Sequence, residues 1–211
     1  MKADYKETQE TWNKIADLYA AKFMDLDFYN ATYRFFGHLL TSEVPEILEI
    51  GCGPGNISKF MLREFPAVKM TGIDTSTNMI ALAKIHNPEG DFRVMDARNI
   101  AEFDVKFDGI ICGFCIPYLD VNDCEALVEN AANLLRTNGV FYVSFVAGNE
   151  ELSGFQTGSG GDRVYFYYYP VEKIETMLTL NGLGMIKKFD IPYKKGDGSA
   201  EIHTVLIGKK N

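Results

Sequence analysis

A glycine-rich turn directly after a short apolar run constrains the fold of this chain more than any other feature. Residues 47–50 read Ile-Leu-Glu-Ile, residues 51–55 read Gly-Cys-Gly-Pro-Gly, and a helical apolar stripe begins at residue 57. In open parallel sheets, ligands bind beyond the carboxyl ends of the strands, next to turns of this kind. The segment is therefore predicted to be the floor of a ligand site, and a tight strand-to-helix connection that binds nothing is the alternative.

The spacing of the glycines narrows the class of ligand. Gly51, Gly53 and Gly55 depart from the dinucleotide fingerprint G-x-G-x-x-G, because Asn56 occupies the place of its third glycine. A phosphate-binding P-loop is excluded, since no Gly-Lys-Ser/Thr follows the turn. The turn thus differs from both of these common phosphate-binding loops.

The rest of the chain alternates short apolar runs with helical stretches. The expected strands are residues 47–50, 68–73, 91–95, 107–112 and 140–146. The expected helices are one or two within residues 5–40, followed by residues 57–65, 76–86, 120–136 and 171–180. Parallel strands require crossover connections, so a mainly parallel sheet is predicted. Two final runs, residues 185–191 and 202–207, joined by residues 194–199, predict an antiparallel hairpin at one edge.

The pattern also predicts how the chain is divided. We expect a helical cap at residues 1–42 in front of a single compact unit at residues 43–211. Within that unit, the Gly/Ser-rich residues 148–162 are predicted to form a mobile loop, either a lid or a partly disordered segment.

Two acidic residues stand at the ends of the second and third predicted strands. Asp74 is placed to accept hydrogen bonds from both hydroxyls of a ribose, and helix capping is its alternative role, for which Ser76 is also available. Asp96 is suited to accept a hydrogen bond from an adenine amino group, while the Ala97 backbone N–H reaches a ring nitrogen. Since the carboxyl ends of parallel strands share one crevice, the turn and both carboxylates together predict a nucleoside site.

These residues resemble those of class I S-adenosylmethionine (SAM)-dependent methyltransferases, over about residues 40–210. Residues 49–55, Glu-x-Gly-x-Gly-x-Gly, are similar to the first motif of that family, and residues 107–114 resemble its fourth-strand motif. The resemblance implies a Rossmann-like, doubly wound α/β fold. Its sheet has seven mostly parallel strands in the order 3-2-1-4-5-7-6, of which strand 7 is antiparallel. It also implies methyl transfer with SAM as the cofactor.

The resemblance further implies which residues contact the cofactor. These are Tyr19, Glu49, Gly51, Cys52, Gly53, Gly55, Asp74, Thr75, Ser76, Met79, Asp96, Ala97, Gly113 and Phe114. Tyr19 belongs to a helix that resembles the lids of small-molecule methyltransferases, and Tyr5, Tyr29 and Tyr33 compete for that role. Residues 114–118, Phe-Cys-Ile-Pro-Tyr, differ from the Asn/Asp-Pro-Pro-Tyr/Phe of members that methylate nucleobases or glutamine. A small-molecule acceptor is therefore expected.

The chemistry at the acceptor is less constrained by the sequence. A sulfonium methyl is already activated, so transfer depends on placing the nucleophile about 3–3.5 Å away on axis, and no dedicated catalytic residue is required. If a proton must be removed, the candidates are His203, Tyr118 and Asp120, although a lone His in a strand is more often structural. Tyr165 and Tyr167 would share one strand face, which either lines an acceptor pocket with Tyr118 or packs in the core or at an edge of the sheet.

Composition limits the partners of the chain. A formal net charge of -8 and a pI near 4.9 argue against nucleic acid. No stretch reaches the roughly 18 consecutive apolar residues of a membrane span, and the first residues lack the apolar segment of a signal peptide. We therefore expect a cytoplasmic monomer or homodimer. The cysteines Cys52, Cys112, Cys115 and Cys124 are interpreted as buried thiols, because a structural zinc needs about four ligands and only Cys112 and Cys115 are suitably spaced.

Two other functions fit part of the pattern. A nucleotide-dependent oxidoreductase shares the strand, the turn and the ribose carboxylate, but the third fingerprint position and Asp96-Ala97 count against it. A catalytically silent SAM-binding protein would carry the same motifs, because they describe cofactor binding rather than chemistry.

Overall fold

A seven-stranded sheet with helices on both faces forms the centre of the molecule. The structure is a computed structural model and describes residues 3–158, 160–194, 198 and 200–211. Its helices are α1 (Ala3–Lys14), α2 (Ala16–Phe23), α3 (Asn30–Leu39), α4 (Asn56–Glu64), α5 (Thr77–His86), α6 (Val121–Leu134) and α7 (Val171–Leu180). Its strands are β1 (Glu46–Ile50), β2 (Lys69–Asp74), β3 (Asp91–Val94), β4 (Phe107–Gly113), β5 (Leu135–Val146), β6 (Gly154–Thr157), β7 (Arg163–Phe166), β8 (Leu183–Lys194) and β9 (Ala200–Lys210).

The strand order confirms the predicted topology. The main sheet runs β3-β2-β1-β4-β5-β9-β8, with β1 to β5 parallel and β9 antiparallel to both of its neighbours. Counted within this sheet, β8 and β9 are its sixth and seventh strands, so the order is 3-2-1-4-5-7-6 as expected. The strands β6 and β7 pair only with each other, in a separate two-stranded sheet.

The register of the central strands brings their carboxyl ends level. Ile50 of β1 lies opposite Ile73 of β2 and Cys112 of β4. The residues that follow these three are Gly51, Asp74 and Gly113. The strands are buried on both faces, which explains why they read as nearly continuous apolar runs. The sheet therefore delivers residues from separate strands to one edge.

Three N-terminal helices are present, where one or two were expected. The helix α3 packs on the sheet, since Phe36 is fully buried and its ring lies 6.1 Å from that of Tyr142. The helix α1 instead lies against β7 and the beginning of α5. The division at residue 42 stays a prediction. No helix within the described part of the chain has the length and apolar character needed to cross a membrane.

The end of α6 differs from the prediction. The helix stops at Leu134, two residues before the predicted end at residue 136, and β5 already begins at Leu135. Arg136 lies in this strand, and its guanidinium pairs with Glu46 of β1 at 2.5 Å and with Asp108 of β4 at 2.6 Å. Asn138 instead adopts a positive φ of 63° at a turn within the strand.

Two further expectations need correction, one about a loop and one about a strand. The Gly/Ser-rich stretch 148–162 contains a 3₁₀ turn at Glu150–Leu152 and the strand β6, while residue 159 lies outside the described residues. The aromatic run leaves β7 after Phe166, because the Tyr167 N–H donates to the Pro117 carbonyl at 2.7 Å rather than to a strand partner. The connection predicted at 194–199 falls largely on residues 195–197 and 199, which the structure does not describe.

Candidate active site

A cavity lies at the carboxyl edge of the main sheet, with α1 as its roof. Four strands contribute to its floor, through residues that end or follow β1 to β4: Gly51, Gly53, Asp74, Asp96 and Gly113. The α1 residues that line it are Tyr5, Thr8, Gln9 and Trp12. The remaining lining residues are Tyr19, Thr75, Met79, Ala97, Arg98, Phe114, Cys115, Tyr118 and Leu119. The cavity thus gathers ten of the fourteen residues expected to contact a cofactor, and the other four, Glu49, Cys52, Gly55 and Ser76, do not line it.

The turn at residues 51–55 adopts a backbone that only glycine accommodates easily. Gly51, Gly53 and Gly55 have φ values of 68°, 52° and 83°, in the left-handed region. A Cβ at Gly55 would overlap the side-chain amide of Asn87, which donates to the Gly55 carbonyl at 3.0 Å. The nearest atom to a Cβ at Gly53 would be Tyr19 Cε1, 3.8 Å away. The turn is therefore fixed on its inner side and leaves space for a ligand at Gly53.

Asp74 is held between this turn and the start of α5. Its Oδ2 accepts the Gly53 N–H at 3.0 Å, and its Oδ1 accepts the Ser76 N–H at 2.8 Å. Burial raises the pKa of this carboxyl, although these hydrogen bonds oppose the shift. Each carboxylate oxygen retains a further acceptor position, so Asp74 is able to bind two ribose hydroxyls.

Asp96 makes an ion pair that was not part of the sequence prediction. Arg98 donates through its Nε to Oδ1 at 2.9 Å and through a terminal nitrogen to Oδ2 at 2.5 Å. Burial acts to raise the pKa of Asp96, but the hydrogen bonds and charge of Arg98 outweigh it and lower the pKa. The guanidinium also lies 4.7 Å from the centre of the Tyr5 ring. Asp96 is thereby kept ionised at the cavity wall.

The beginning of α5 connects the floor of the cavity with its roof. Ser76 caps the helix by accepting the Met79 N–H at 3.1 Å, so the capping role belongs to Ser76 as expected. Its hydroxyl donates to Asn13 Oδ1 at 2.9 Å, and Gln9 donates to the Thr75 carbonyl at 3.2 Å. Thr75 and Met79 line the cavity, whereas Ser76 is buried behind them.

The roof helix α1 is also held from the opposite side. Thr11 donates to the Arg163 carbonyl at 2.7 Å, and Lys14 pairs with Asp162 at 2.8 Å. Near the start of the helix, the Tyr5 hydroxyl donates to Asp123 at 2.7 Å. Polar contacts to α5, α6 and β7 therefore fix α1 over the cavity.

Two residues of the first motif lie behind the turn rather than on the cavity wall. Glu49 is buried and hydrogen-bonded by Ser58, and burial raises its pKa to about 8. Cys52 is buried in a small cluster with Ile80, Ala83 and Phe92. Their contacts indicate that they support the shape of the turn.

The residue that follows β4 has a strained backbone and lies at the cavity wall. Phe114 has a φ of 53°, which is rare for a residue with a side chain. Its N–H donates to the Ser144 carbonyl and hydroxyl, both at 3.1 Å. Its ring lies edge-on to Tyr29 at 5.3 Å and to His203 at 5.0 Å. Phe114 thus lies between the cavity and the side chains of Tyr29 and His203.

The candidate proton acceptors occupy three different environments. Tyr118 lines the cavity, and burial raises its pKa above the usual range. Asp120 caps α6 by accepting the Asp123 N–H at 3.0 Å. His203 bonds the Tyr29 hydroxyl through Nδ1 at 2.5 Å and stacks on Tyr193, with ring centres 4.6 Å apart. Of the three, only Tyr118 is among the residues that form the cavity wall.

Tyr165 and Tyr167 are placed against α1, outside the set of cavity-lining residues. The Tyr165 N–H donates to Thr8 Oγ1 at 2.9 Å, and the Tyr167 hydroxyl donates to Asp4 at 2.8 Å. Their rings contact each other with centres 4.6 Å apart. The two tyrosines therefore support the roof from outside, which is the packing alternative raised by the sequence.

The four cysteines are all free thiols. Cys52, Cys112 and Cys124 are buried, and Cys115 is partly exposed at the cavity. Within the described ranges, no group of three or more His, Cys, Asp or Glu side chains is arranged to hold a metal ion.

Several residues of the site were missed by sequence reasoning. These are Thr8, Gln9, Trp12, Arg98, Cys115 and Leu119, whereas Tyr5 was named only as a competitor of Tyr19 for the lid. The aromatic pattern of the first helix predicted an amphipathic surface, but gave no indication of which element that surface covers. Arg98 follows Asp96 by only two positions, and this short separation was the one sequence feature that could have indicated its place in the site.

Comparisons with known proteins agree with this geometry. Residues 47–139 match a family model described as a methyltransferase domain. Trans-aconitate 2-methyltransferase from Enterobacter sp. (strain 638) is 32% identical over 110 residues, which cover 52% of this chain and 42% of that protein. The chain spans between 40% and 42% of the length of the first curated relatives that it matches.

Solved structures share the fold over most of their length. Magnesium protoporphyrin IX methyltransferase from Synechocystis PCC 6803, solved with bound SAM, has a TM-score of 0.73 at 15% identity and covers 100% of this chain and 99% of its own. The cyclase SpnF has a TM-score of 0.67 at 16% identity, with 86% of this chain and 81% of its own covered. Residues 47–139 therefore belong to the methyltransferase domain family, and the strand order together with these neighbours confirms the predicted fold of class I SAM-dependent methyltransferases.

Proposed function

We propose that this protein transfers the methyl group of SAM to a small-molecule acceptor. The observation that carries the proposal is the convergence of Gly53, Asp74 and Asp96 on one cavity, from three neighbouring strand ends. A glycine floor and two carboxylates at these places suit a nucleoside with a ribose and an adenine. The family match over residues 47–139 supports the same cofactor.

The residues present fit SAM on chemical grounds. Asp74 would hold the ribose hydroxyls, and Asp96 with the Ala97 N–H would hold the adenine edge. Met79 and Thr75 would line the adenosine, while Gly51 and Gly53 would allow the remainder of the molecule to approach the backbone. The cofactor, when bound, supplies an electrophilic methyl group on a sulfonium.

The contribution of the chain is to position both partners and to keep water out. The roof helix α1 covers the cavity, and the aromatic residues Trp12, Tyr19 and Tyr118 form one end of it. Burial raises the pKa of Tyr19 to about 12 and that of Tyr118 higher still, so both phenols stay protonated near neutral pH. They are thus hydrogen-bond donors in the site rather than bases.

A small acceptor is favoured over a polymer. Helix α1 covers one side of the cavity, and the net charge of -8 repels the phosphates of a nucleic acid. The relative from Enterobacter and the neighbour from Synechocystis both have names that specify small-molecule acceptors. A cytoplasmic location and a monomeric or homodimeric state stay predictions.

The cyclase SpnF shares the fold, so a class I chain with chemistry other than methyl transfer is the second candidate.

Calorimetric titration with SAM, S-adenosylhomocysteine and NAD tests the cofactor, and tight binding of NAD alone would refute the proposal. A screen with methyl-labelled SAM over phenols, amines, thiols and carboxylates tests the reaction. Binding of SAM with no label transferred to any acceptor class would favour the second candidate.

A further inference from the structure

Phe114 determines the path of the chain where β4 ends at the cavity. Its φ of 53° is in the left-handed region, which costs free energy and persists only where the surroundings enforce it. Its neighbours Gly113 and Cys115 line the cavity as well. A Cβ at Gly51 would lie 2.9 Å from the Cys115 Cβ, so Cys115 packs directly on the turn at residues 51–55. A change in the Phe114 backbone would therefore disturb the contact between this segment and the turn.

Ser144 of β5 holds the Phe114 backbone from the neighbouring strand. The Phe114 N–H is shared between the carbonyl and the hydroxyl oxygen of Ser144, both at 3.1 Å. Ser144 is fully buried and pairs with Gly113 in the ladder between β4 and β5. Any residue at position 144 would supply the carbonyl, whereas the hydroxyl depends on the side chain. Ser144 thus adds a second acceptor for the N–H of a strained residue.

Further buried hydroxyls lead from β5 to the start of α3. The Thr32 hydroxyl donates to the Tyr29 carbonyl at 2.7 Å, and the Tyr142 hydroxyl lies 3.0 Å from Thr32 Oγ1. Because the Thr32 hydrogen is used on that carbonyl, Tyr142 is the donor in the second bond. Burial raises the pKa of Tyr142, and its hydrogen bonds with Thr32 and Ser144 oppose the shift. We call Ser144, Tyr142 and Thr32, which are all buried, the hydroxyl chain.

The far end of the hydroxyl chain returns to the ring of Phe114. Tyr29, whose carbonyl accepts the last bond, directly precedes α3, and its ring lies 5.3 Å from that of Phe114. His203 of β9 lies 5.0 Å from the Phe114 ring and bonds the Tyr29 hydroxyl at 2.5 Å. The contacts form a closed circuit, in which β5 holds the Phe114 N–H while Tyr29 and His203 hold its ring. In such a network each bond orients and strengthens the next.

We propose that Ser144 is a positioning residue of the cofactor site, which acts through Phe114, and that Tyr142 and Thr32 orient its hydroxyl. The inference rests on the proposed function, because it concerns the cavity that would hold SAM. Within the described part of the chain, Ser144 is not one of the residues that line this cavity. Its effect on a bound molecule therefore passes through the segment from Gly113 to Cys115.

Calorimetric titration of the full chain with S-adenosylhomocysteine tests this role. Ser144→Ala removes the hydroxyl and keeps the strand, so the affinity should fall about 3- to 10-fold. Tyr142→Phe keeps the ring but removes the hydroxyl that orients Ser144, so a smaller loss in the same direction is expected. Thr204→Val is the matched control, because Thr204 is equally buried in the sheet but its hydroxyl bonds Asp190. The control should change the affinity less than about twofold.

A second background separates positioning from general destabilisation. Glycine adopts a positive φ without strain, so Phe114→Gly removes the need for the Ser144 hydroxyl. In that background, Ser144→Ala should change the affinity less than about twofold, even where both changes lower the melting temperature. Amide hydrogen exchange at residues 113–115 should be faster in Ser144→Ala than in wild type, whereas Thr204→Val should leave it unchanged.

The inference and the proposed function fail in different ways. If Ser144→Ala binds S-adenosylhomocysteine within about twofold of wild type, the inference is overturned. Equal losses in the wild-type and Phe114→Gly backgrounds would overturn it too, because the hydroxyl would then act without Phe114. If Phe114→Gly does not fold, unchanged hydrogen exchange at residues 113–115 in Ser144→Ala would contradict the inference instead. A wild-type chain that binds no S-adenosylhomocysteine would refute the proposed function itself.

Discussion

Replacement of Asp74 by Asn tests the cofactor site at the residue that the structure fixes most tightly. The carboxylate accepts the Gly53 N–H at 3.0 Å and the Ser76 N–H at 2.8 Å, and each oxygen has one position left for a ribose hydroxyl. Asn has the same size but only one acceptor oxygen, and its amide N–H₂ would face a backbone N–H. Hydrogen bonds to charged groups contribute about 1.5–3 kcal/mol each. Loss of one such bond corresponds to a SAM affinity about 10- to 150-fold weaker.

The assay is calorimetric titration of wild type and Asp74→Asn with SAM. Asp91→Asn is the matched control, because Asp91 is an exposed carboxylate that pairs with Arg93 at the start of β3. Circular dichroism and thermal unfolding without ligand establish that each variant is folded. If folded Asp74→Asn binds SAM within about twofold of wild type, the ribose assignment is refuted and Asp74 serves only to join the turn to α5.

Three further perturbations follow from the site. Glu49 has a pKa that burial raises to about 8. Because the folded chain keeps a proton that the unfolded chain releases, wild-type stability should fall by up to about 1.4 kcal/mol per pH unit from about pH 5 to 8. In urea unfolding at several pH values, the free energy of unfolding of Glu49→Gln should change less with pH than that of the wild type. Equal pH dependence in the two proteins would contradict the raised pKa of Glu49. Gly55→Ala should lower the melting temperature more than Gly53→Ala, because only the Cβ at Gly55 meets Asn87, and the reverse order would contradict the turn geometry. Asn13→Ala should reduce hydrogen-exchange protection of α1 but not of β4, and unchanged protection of α1 would show that this contact does not hold the roof.

The sheet was predictable because its strands are buried on both faces. Burial of both faces makes β1, β4 and β5 read as short apolar runs, and parallel connections leave few possible strand orders. The same rule predicted that Gly53, Asp74 and Asp96 would meet, since they follow neighbouring strand ends. The resemblance to class I methyltransferases rested on these residues, and the family match confirms it.

The roof was not predictable, because its contacts join residues far apart in sequence. The hydrogen bond from Thr11 to Arg163 spans 152 positions, and that from Tyr5 to Asp123 spans 118. Periodicity shows that a helix has an apolar face, but it carries no information about the surface that the face meets. The lining role of Trp12 and the position of Tyr167 outside the cavity depend on that surface, so neither follows from the pattern.

The long-range contacts of α1 have a consequence for the order of assembly. Its partners are the start of α5, Asp123 of α6, and Asp162 with Arg163 at β7. On the ribosome, α1 emerges before every one of these, yet it has no complete docking surface until β7 has been made. Closing loops of this length is slow compared with the local pairing of neighbouring elements. Helix α1 is thus expected to dock only once the elements up to β7 have been made, and the cavity stays without its cover until then.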